Sequence, residues 1–238
     1  MKIVFLGAGS TIFARNVLGD VMLTPSLQNS DIILYDIDAQ RLEESKIILD
    51  AINNTMNQGN ANIKTYCGEE HLEKVFEDAT FVVNAIQVGG YDPSTIIDFE
   101  IPKKYGLKQT IADTVGIGGI MRGLRTIPEL EKFARVMEKV CPDAYFLNYT
   151  NPMAILTGYM QRYTKVKTIG LCHSVQVCTR ELFKELDMVE YLEGRKELIA
   201  GINHMAWLLK VEDKNGKDLY PIIKERAKKK NESEKHND

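Results

Sequence analysis

The sequence predicts an α/β fold: a Rossmann-like, doubly wound, mainly parallel sheet, followed by the beginning of a second α+β domain. Three observations predict it. Short apolar runs alternate with stretches of helical periodicity, a glycine turn separates the first such pair, and the pattern changes near residue 190.

Lys2–Leu6 is an apolar run closed by Gly7-Ala8-Gly9-Ser10, and Thr11–Leu23 reads as the helix after it, giving strand, tight turn and helix. A second run, Ile32-Ile33-Leu34-Tyr35, ends at Asp36. Ala39–Met56 then carries Leu42, Ile47, Ile48, Ala51 and Ile52 at helical spacing, which completes a βαβ unit. Further runs at Phe81-Val82-Val83, Tyr145-Phe146-Leu147 and Thr168-Ile169-Gly170-Leu171 alternate with helical stretches near 122–141, 151–163 and 176–187. Strands joined through helices must run parallel, hence the doubly wound sheet.

Beyond residue 190, residues 199–204 and 205–211 read as strands, and Asp213-Lys214-Asn215-Gly216 supplies a turn before Lys217-Asp218-Leu219-Tyr220. The expected division is 1–192 and 193–238, with the second domain incomplete. The tail, 224–238, is almost wholly polar and charged, the signature of a solvated helix end or of disorder.

Composition narrows the partners. A net charge of −3, with 44% hydrophobic and 26% charged residues in 238, offers no electrostatic footprint for nucleic acid. No apolar run approaches the roughly 20 residues that span a bilayer. The N-terminus reads straight into the first strand without a cleavage site, so a cytoplasmic protein with no membrane partner is expected. Cys67, Cys141, Cys172 and Cys178 form no CxxC pair, and disulfides are not expected.

Gly7 and Gly9 permit a tight turn and close backbone approach, so that a pyrophosphate can rest on amides at the start of the next helix, where Ser10 and Thr11 stand. Asp36, at the end of the second strand, is placed to accept hydrogen bonds from ribose hydroxyls, which favours NAD over NADP. The turn departs from GxGxxG: Ile12 stands where the third glycine belongs, and Asp36 lies 27 residues beyond Gly9 because of an insertion at 24–30.

An NAD domain alone is compatible with a hydroxy-acid dehydrogenase, but the arginine and carboxylate-paired histidine which that chemistry needs are not evident. Four motifs point elsewhere: Ile3-Val4-Phe5-Leu6-Gly7-Ala8-Gly9-Ser10; Asp113-Thr114-Val115-Gly116-Ile117-Gly118-Gly119-Ile120-Met121-Arg122; Asn148-Tyr149-Thr150-Asn151-Pro152-Met153; and Cys172-His173-Ser174-Val175 with Gly201-Ile202-Asn203-His204. In this order they resemble glycoside hydrolase family 4 over nearly the whole chain. The Cys-His-Ser-Val form is most similar to its α-galactosidase members; α-glucosidase and α-glucuronidase members remain open alternatives.

The resemblance implies a redox-neutral hydrolysis. NAD takes hydride from C3 of the sugar, the ketone acidifies the C2 proton, the glycosidic oxygen is eliminated, water adds at C1, and the hydride returns. This chemistry stands apart from hydrolysis by paired carboxylates. It also implies a divalent metal, which polarises the sugar oxygens. Cys172 and His204 match the family's ligands. Thiolate plus imidazole suits zinc equally well, and only the resemblance points to Mn(II). A strand-end thiol and a core histidine are ordinarily structural, so the assignment rests on the surrounding motifs.

His173 matches the position of the family's proposed acid, and either protonates the departing oxygen or binds a sugar hydroxyl. Asn151 matches a substrate-binding asparagine, and equally reads as the cap of a helix that Pro152 begins. Asp113 matches a carboxylate that raises the basicity of the catalytic tyrosine, and equally reads as a turn former. That tyrosine, the base, is expected beyond residue 238. Tyr220 does not match its motif, so NAD binding without turnover is a further reading of this chain. A second domain cut short exposes apolar area and favours a homo-oligomer.

Overall fold

The computed structural model describes residues 1–109 and 115–233. Contacts divide the chain into Met1–Leu171 and Cys172–Asp238.

The first unit is built on a parallel sheet whose strands are β1 (Lys2–Leu6), β2 (Asp31–Asp36), β3 (Asn62–Cys67), β4 (Phe81–Asn84), β5 (Tyr145–Asn148) and β6 (Lys167–Gly170), in spatial order β3-β2-β1-β4-β5-β6. The connections are α1 (Thr11–Leu23), α2 (Ala39–Met56), α3 (Leu72–Phe76), α4 (Ile96–Lys104), α5 (Ile117–Val140) and α6 (Met153–Tyr163). The winding reverses between β1 and β4. The carboxyl ends of those strands therefore flank the crevice in which open α/β sheets bind ligands.

Alternation along each strand feeds two cores. Ile3, Phe5, Ile32, Leu34 and Val83 pack on one face against Ala14, Leu18 and Met22 of α1 and Leu42 and Leu49 of α2. Val4, Leu6, Ile33, Val82 and Phe146 pack on the other against Phe76 of α3, Leu130, Phe133 and Met137 of α5, and Leu156 and Met160 of α6. Local signals set the boundaries: Asp38 caps α2 by accepting from the Gln40 and Arg41 amides at 3.0 and 3.1 Å.

The second unit comprises α7 (His173–Glu185), the antiparallel hairpin β7 (Lys196–Ile202) and β8 (Met205–Glu212), and α8 (Tyr220–Ser233). Phe183, in the last turn of α7, and Leu186, just past it, are buried with Val211, Leu219 and Ile223. Helix α7 therefore clusters with the hairpin and α8. The division expected from sequence, at 192/193, follows the change in pattern; the contact clusters part where the chain leaves β6.

Several expected elements differ in detail. The helix expected over 122–141 begins at Ile117, and that expected over 151–163 begins at Met153, with Pro152 as its N-cap. Strand β3 and helices α3 and α4 had no counterpart among the expected elements. β3 is an edge strand with a mixed, half-buried pattern, and α4 contains Pro102. The charged tail is helical to Ser233, with Arg226 bonded to Glu190 at 3.0 Å and Lys230 to Glu185 at 2.6 Å. Tyr220 opens that helix, and its hydroxyl donates to the Leu208 carbonyl.

All four cysteines are free thiols. Cys141, the C-cap of α5, is buried, and burial pushes its thiol pKa up to about 11, whereas Cys178 is exposed on α7. Only thiolate reacts readily. Alkylation at pH 8 is therefore expected to modify Cys178 well before Cys141, which should resist until denaturant is added. Equal labelling rates by peptide mass spectrometry would contradict this packing.

Candidate active site

The turn after β1 is shaped for close approach. Gly7 has φ +81°, and a Cβ there would lie 2.6 Å from the Ala85 carbonyl oxygen, so only glycine fits against the segment leaving β4. A Cβ at Gly9 would lie 2.8 Å from Asp36 Oδ2, and the Gly9 amide donates to that oxygen at 2.6 Å. Asp36 Oδ1 accepts from the Asp38 amide at 3.0 Å. Each carboxylate oxygen keeps further acceptor capacity, which suits a ribose diol.

Ser10 is the N-cap of α1 but its side chain makes no capping bond, and Thr11 is the first helical residue. The amides of the first turn are thus not used by a Ser10 side-chain cap. Ser45 braces the turn by donating to the Ala8 carbonyl at 2.6 Å, a contact that neither spacing nor motif revealed. Gly7, Gly9, Ser10, Thr11 and Asp36 stand together, and a cradle that a Cβ would fill, opening onto the first turn of α1 with a carboxylate on its rim, fits a dinucleotide.

Asn151 lies at the carboxyl end of the same sheet, three residues after β5. Its Oδ1 accepts from the Met153 amide at 3.3 Å, so it carries part of the capping role as well as standing beside the crevice. Asp113 lies outside the described residues. The glycines after it line a crowded corner: a Cβ on Gly118 would collide with the Asp98 carbonyl, and the Gly118 amide donates to Gln109 Oε1 at 3.1 Å.

Asp98 is a residue that sequence reasoning missed. It is 1% exposed on α4 and takes both guanidinium arms of Arg125 on α5, at 3.2 and 2.6 Å. Arg125 Nε also donates to the Val88 carbonyl at 3.2 Å. The pair thereby pins the segment after β4 to the helix that begins beside the glycine loop. Its partners lie 27 residues apart on separate helices, a spacing with no periodic signature.

Cys172, His173 and His204 belong to the second unit. Cys172 is the N-cap of α7 and half-buried, and its thiol makes no capping bond; His173 is the helix's first residue. His204 sits in the turn joining β7 to β8, with φ +60°. Among the described residues no group of three or more His, Cys, Asp and Glu side chains is arranged to hold an ion unaided. A thiolate and an imidazole fit a divalent transition metal that takes the rest of its ligands from substrate and water, as a Lewis-acid site requires.

The fold and the β1 turn define the class: a Rossmann-like α/β protein with a glycine turn after its first strand. The family is settled by comparison. Residues 2–188 match the model of family 4 glycosyl hydrolases, and residues 199–238 match that family's C-terminal domain. The chain belongs to glycoside hydrolase family 4. It is 61% identical over 235 residues to an alpha-galactosidase of Bacillus subtilis (strain 168), covering 99% of this chain and 53% of the relative. It is 34% identical to an alpha-galacturonidase of Thermoanaerobacter italicus, covering 96% and 49%. Among solved structures, the 6-phospho-beta glucosidase of Thermotoga maritima with manganese, NAD+ and glucose-6-phosphate superposes with a TM-score of 0.79 at 27% identity, covering 100% of this chain and 55% of that one. The chain spans about half the length of the curated relatives it matches.

Proposed function

We propose that this chain supplies the cofactor site and much of the metal site of an NAD- and Mn(II)-dependent glycosidase that cleaves α-galactosides. The observation that carries the reading is the Gly7–Gly9–Asp36 cradle in a chain that also bears Cys172-His173-Ser174-Val175 and His204. The 61% identity to an alpha-galactosidase supports the sugar, and family membership favours hydrolysis over a hydroxy-acid dehydrogenase.

When bound, NAD supplies reversible hydride removal from the sugar, and the divalent metal supplies Lewis-acid polarisation of its oxygens. The chain's own residues take the remaining roles apart from that of the tyrosine base. The glycine turn and the start of α1 at Ser10 and Thr11 would receive the pyrophosphate, and Asp36 would accept from the ribose. Cys172 and His204 hold the metal, and Asn151 donates to and accepts from a sugar hydroxyl. His173 protonates the departing oxygen or binds a hydroxyl. Asp113 raises the basicity of the tyrosine base. Tyr220 is not that base: its hydroxyl is committed to Leu208, and burial raises its pKa. The reading carries a cytoplasmic homo-oligomer with no nucleic-acid or membrane partner. The net charge of −3 supports the lack of nucleic acid, and the apolar face of the β7–β8 hairpin, with Trp207 71% exposed, supports association.

Two measurements test this. Titration calorimetry is expected to give at least about tenfold tighter binding of NAD than of NADP, since the Asp36 carboxylate repels a 2′-phosphate, and Gly7→Ala should weaken both. Equal affinity for the two would remove the role given to Asp36. A protein of the relatives' full length that begins with this chain should hydrolyse p-nitrophenyl α-galactoside only with NAD and Mn(II) present, and release no net NADH. In deuterated water the released galactose should carry deuterium at C2. Galactose without it would sink the mechanism.

A further inference from the structure

The carboxyl ends of β4 and β5 hold a buried polar cluster that the cofactor, metal and sugar assignments do not use. Asn84 and Asn148 close these two strands, are paired in register, and are fully buried. Both hydrogens of the Asn84 amide are used, one on Asn148 Oδ1 at 2.9 Å and one on Thr150 Oγ1 at 3.1 Å. Asn148 Oδ1 also accepts from the Thr150 amide at 3.2 Å, and its Nδ2 donates to the Thr150 carbonyl at 3.1 Å and to Thr157 Oγ1 at 3.3 Å. The Thr150 hydroxyl donates to the Ile86 carbonyl at 3.0 Å. The backbone N–H, carbonyl and hydroxyl of Thr150 are therefore all fixed.

Thr150 stands between two segments of consequence. Ile86 comes directly after Ala85, the residue against which Gly7 is pressed, and a Cβ on Gly7 would lie 2.9 Å from the Ile86 amide nitrogen. On its other side Thr150 is bonded to Asn151. The cluster is also costly. Asn84 Oδ1 is buried with no hydrogen-bond donor among the described residues. Apolar side chains of similar shape would join the two strand ends without that penalty. Proteins break the rule that buried polar groups are paired chiefly at functional sites.

We propose that Thr150, locked by Asn84 and Asn148, is a positioning residue that sets Asn151 relative to the cofactor turn through the path Gly7, Ala85–Ile86, Thr150, Asn151. The inference rests on the reading of the β1 turn as the NAD site. Binding at Gly7 and Gly9 restrains the Ala85–Ile86 segment, and the Thr150 hydroxyl passes that restraint to the turn that presents Asn151. Asn151 is then held ready for a sugar hydroxyl only when the cofactor is in place.

The test is amide NMR of this chain with and without NAD. In the wild type, NAD should shift the Asn151 side-chain amide signals and slow exchange of the Thr150 and Met153 amides by about tenfold. Thr150→Val, of the same shape but without the hydroxyl, should bind NAD yet lose both effects. Thr150→Ser should restore them, which a role in packing alone would not predict, because serine lacks the methyl group. If the valine variant folds poorly, Asn84→Ala removes the amide that locks the Thr150 hydroxyl in place for the Ile86 carbonyl and should give the same loss. Undiminished transmission in Thr150→Val or Asn84→Ala would overturn the proposal while leaving the NAD site intact. A wild type that binds no NAD would overturn both, and the two failures are distinguished by the NAD titration itself.

Discussion

Replacing Arg125 by methionine is expected to destabilise the Met1–Leu171 unit by about 3–5 kcal/mol, the usual cost of leaving one member of a buried ion pair without its partner. The size is set by the geometry. Asp98 is 1% exposed, and both of its oxygens are taken by Arg125, which is itself only 26% exposed. Methionine keeps much of the arginine stem but leaves the carboxylate without a cation and the Val88 carbonyl without its donor. Adding Asp98→Leu should recover a large part of the loss, since a pair of apolar side chains removes the uncompensated charge. Urea unfolding of the single and double variants measures both. A single variant within about 1 kcal/mol of wild type would show that water reaches the pair and that it contributes little.

The second large effect concerns the metal. Cys172→Ser and His204→Ala are each expected to weaken Mn(II) binding by more than about 100-fold, because a site with so few protein ligands has none to spare. Cys178→Ser, on the exposed face of the same helix, should leave affinity unchanged and controls for a general effect on α7. Paramagnetic resonance of free Mn(II) reads this directly. Wild-type affinity in both ligand variants would place the metal elsewhere. Release of bound Mn(II) on adding zinc, read by the same resonance, decides whether the thiolate and imidazole prefer the softer ion.

The sequence by itself determined the elements whose burial is periodic or nearly continuous. β1, β2, β4 and β5 are short apolar runs because both faces of a parallel strand are covered, and α1 and α2 show their buried faces as spaced apolar residues. It also determined the β1 turn, since glycines at 7 and 9 and an acid at 36 occupy positions where backbone approach and strand ends leave few alternatives. β3 was not legible because an edge strand is half-buried and its pattern is mixed. α7 was legible as a helix, yet its allegiance was not, because Phe183 and Leu186 find their partners in Val211 and Ile223, well beyond them in sequence.

Tertiary structure alone decided the polar contacts. Ser45 under the Ala8 carbonyl, Asp98 against Arg125, and Asn84 against Asn148 join residues 37, 27 and 64 positions apart. Asn84 carried a faint signal, an amide ending the apolar run Phe81-Val82-Val83. A hydrogen bond, though, is made by one donor meeting one acceptor in space, and it leaves no period along the chain from which its partner can be read.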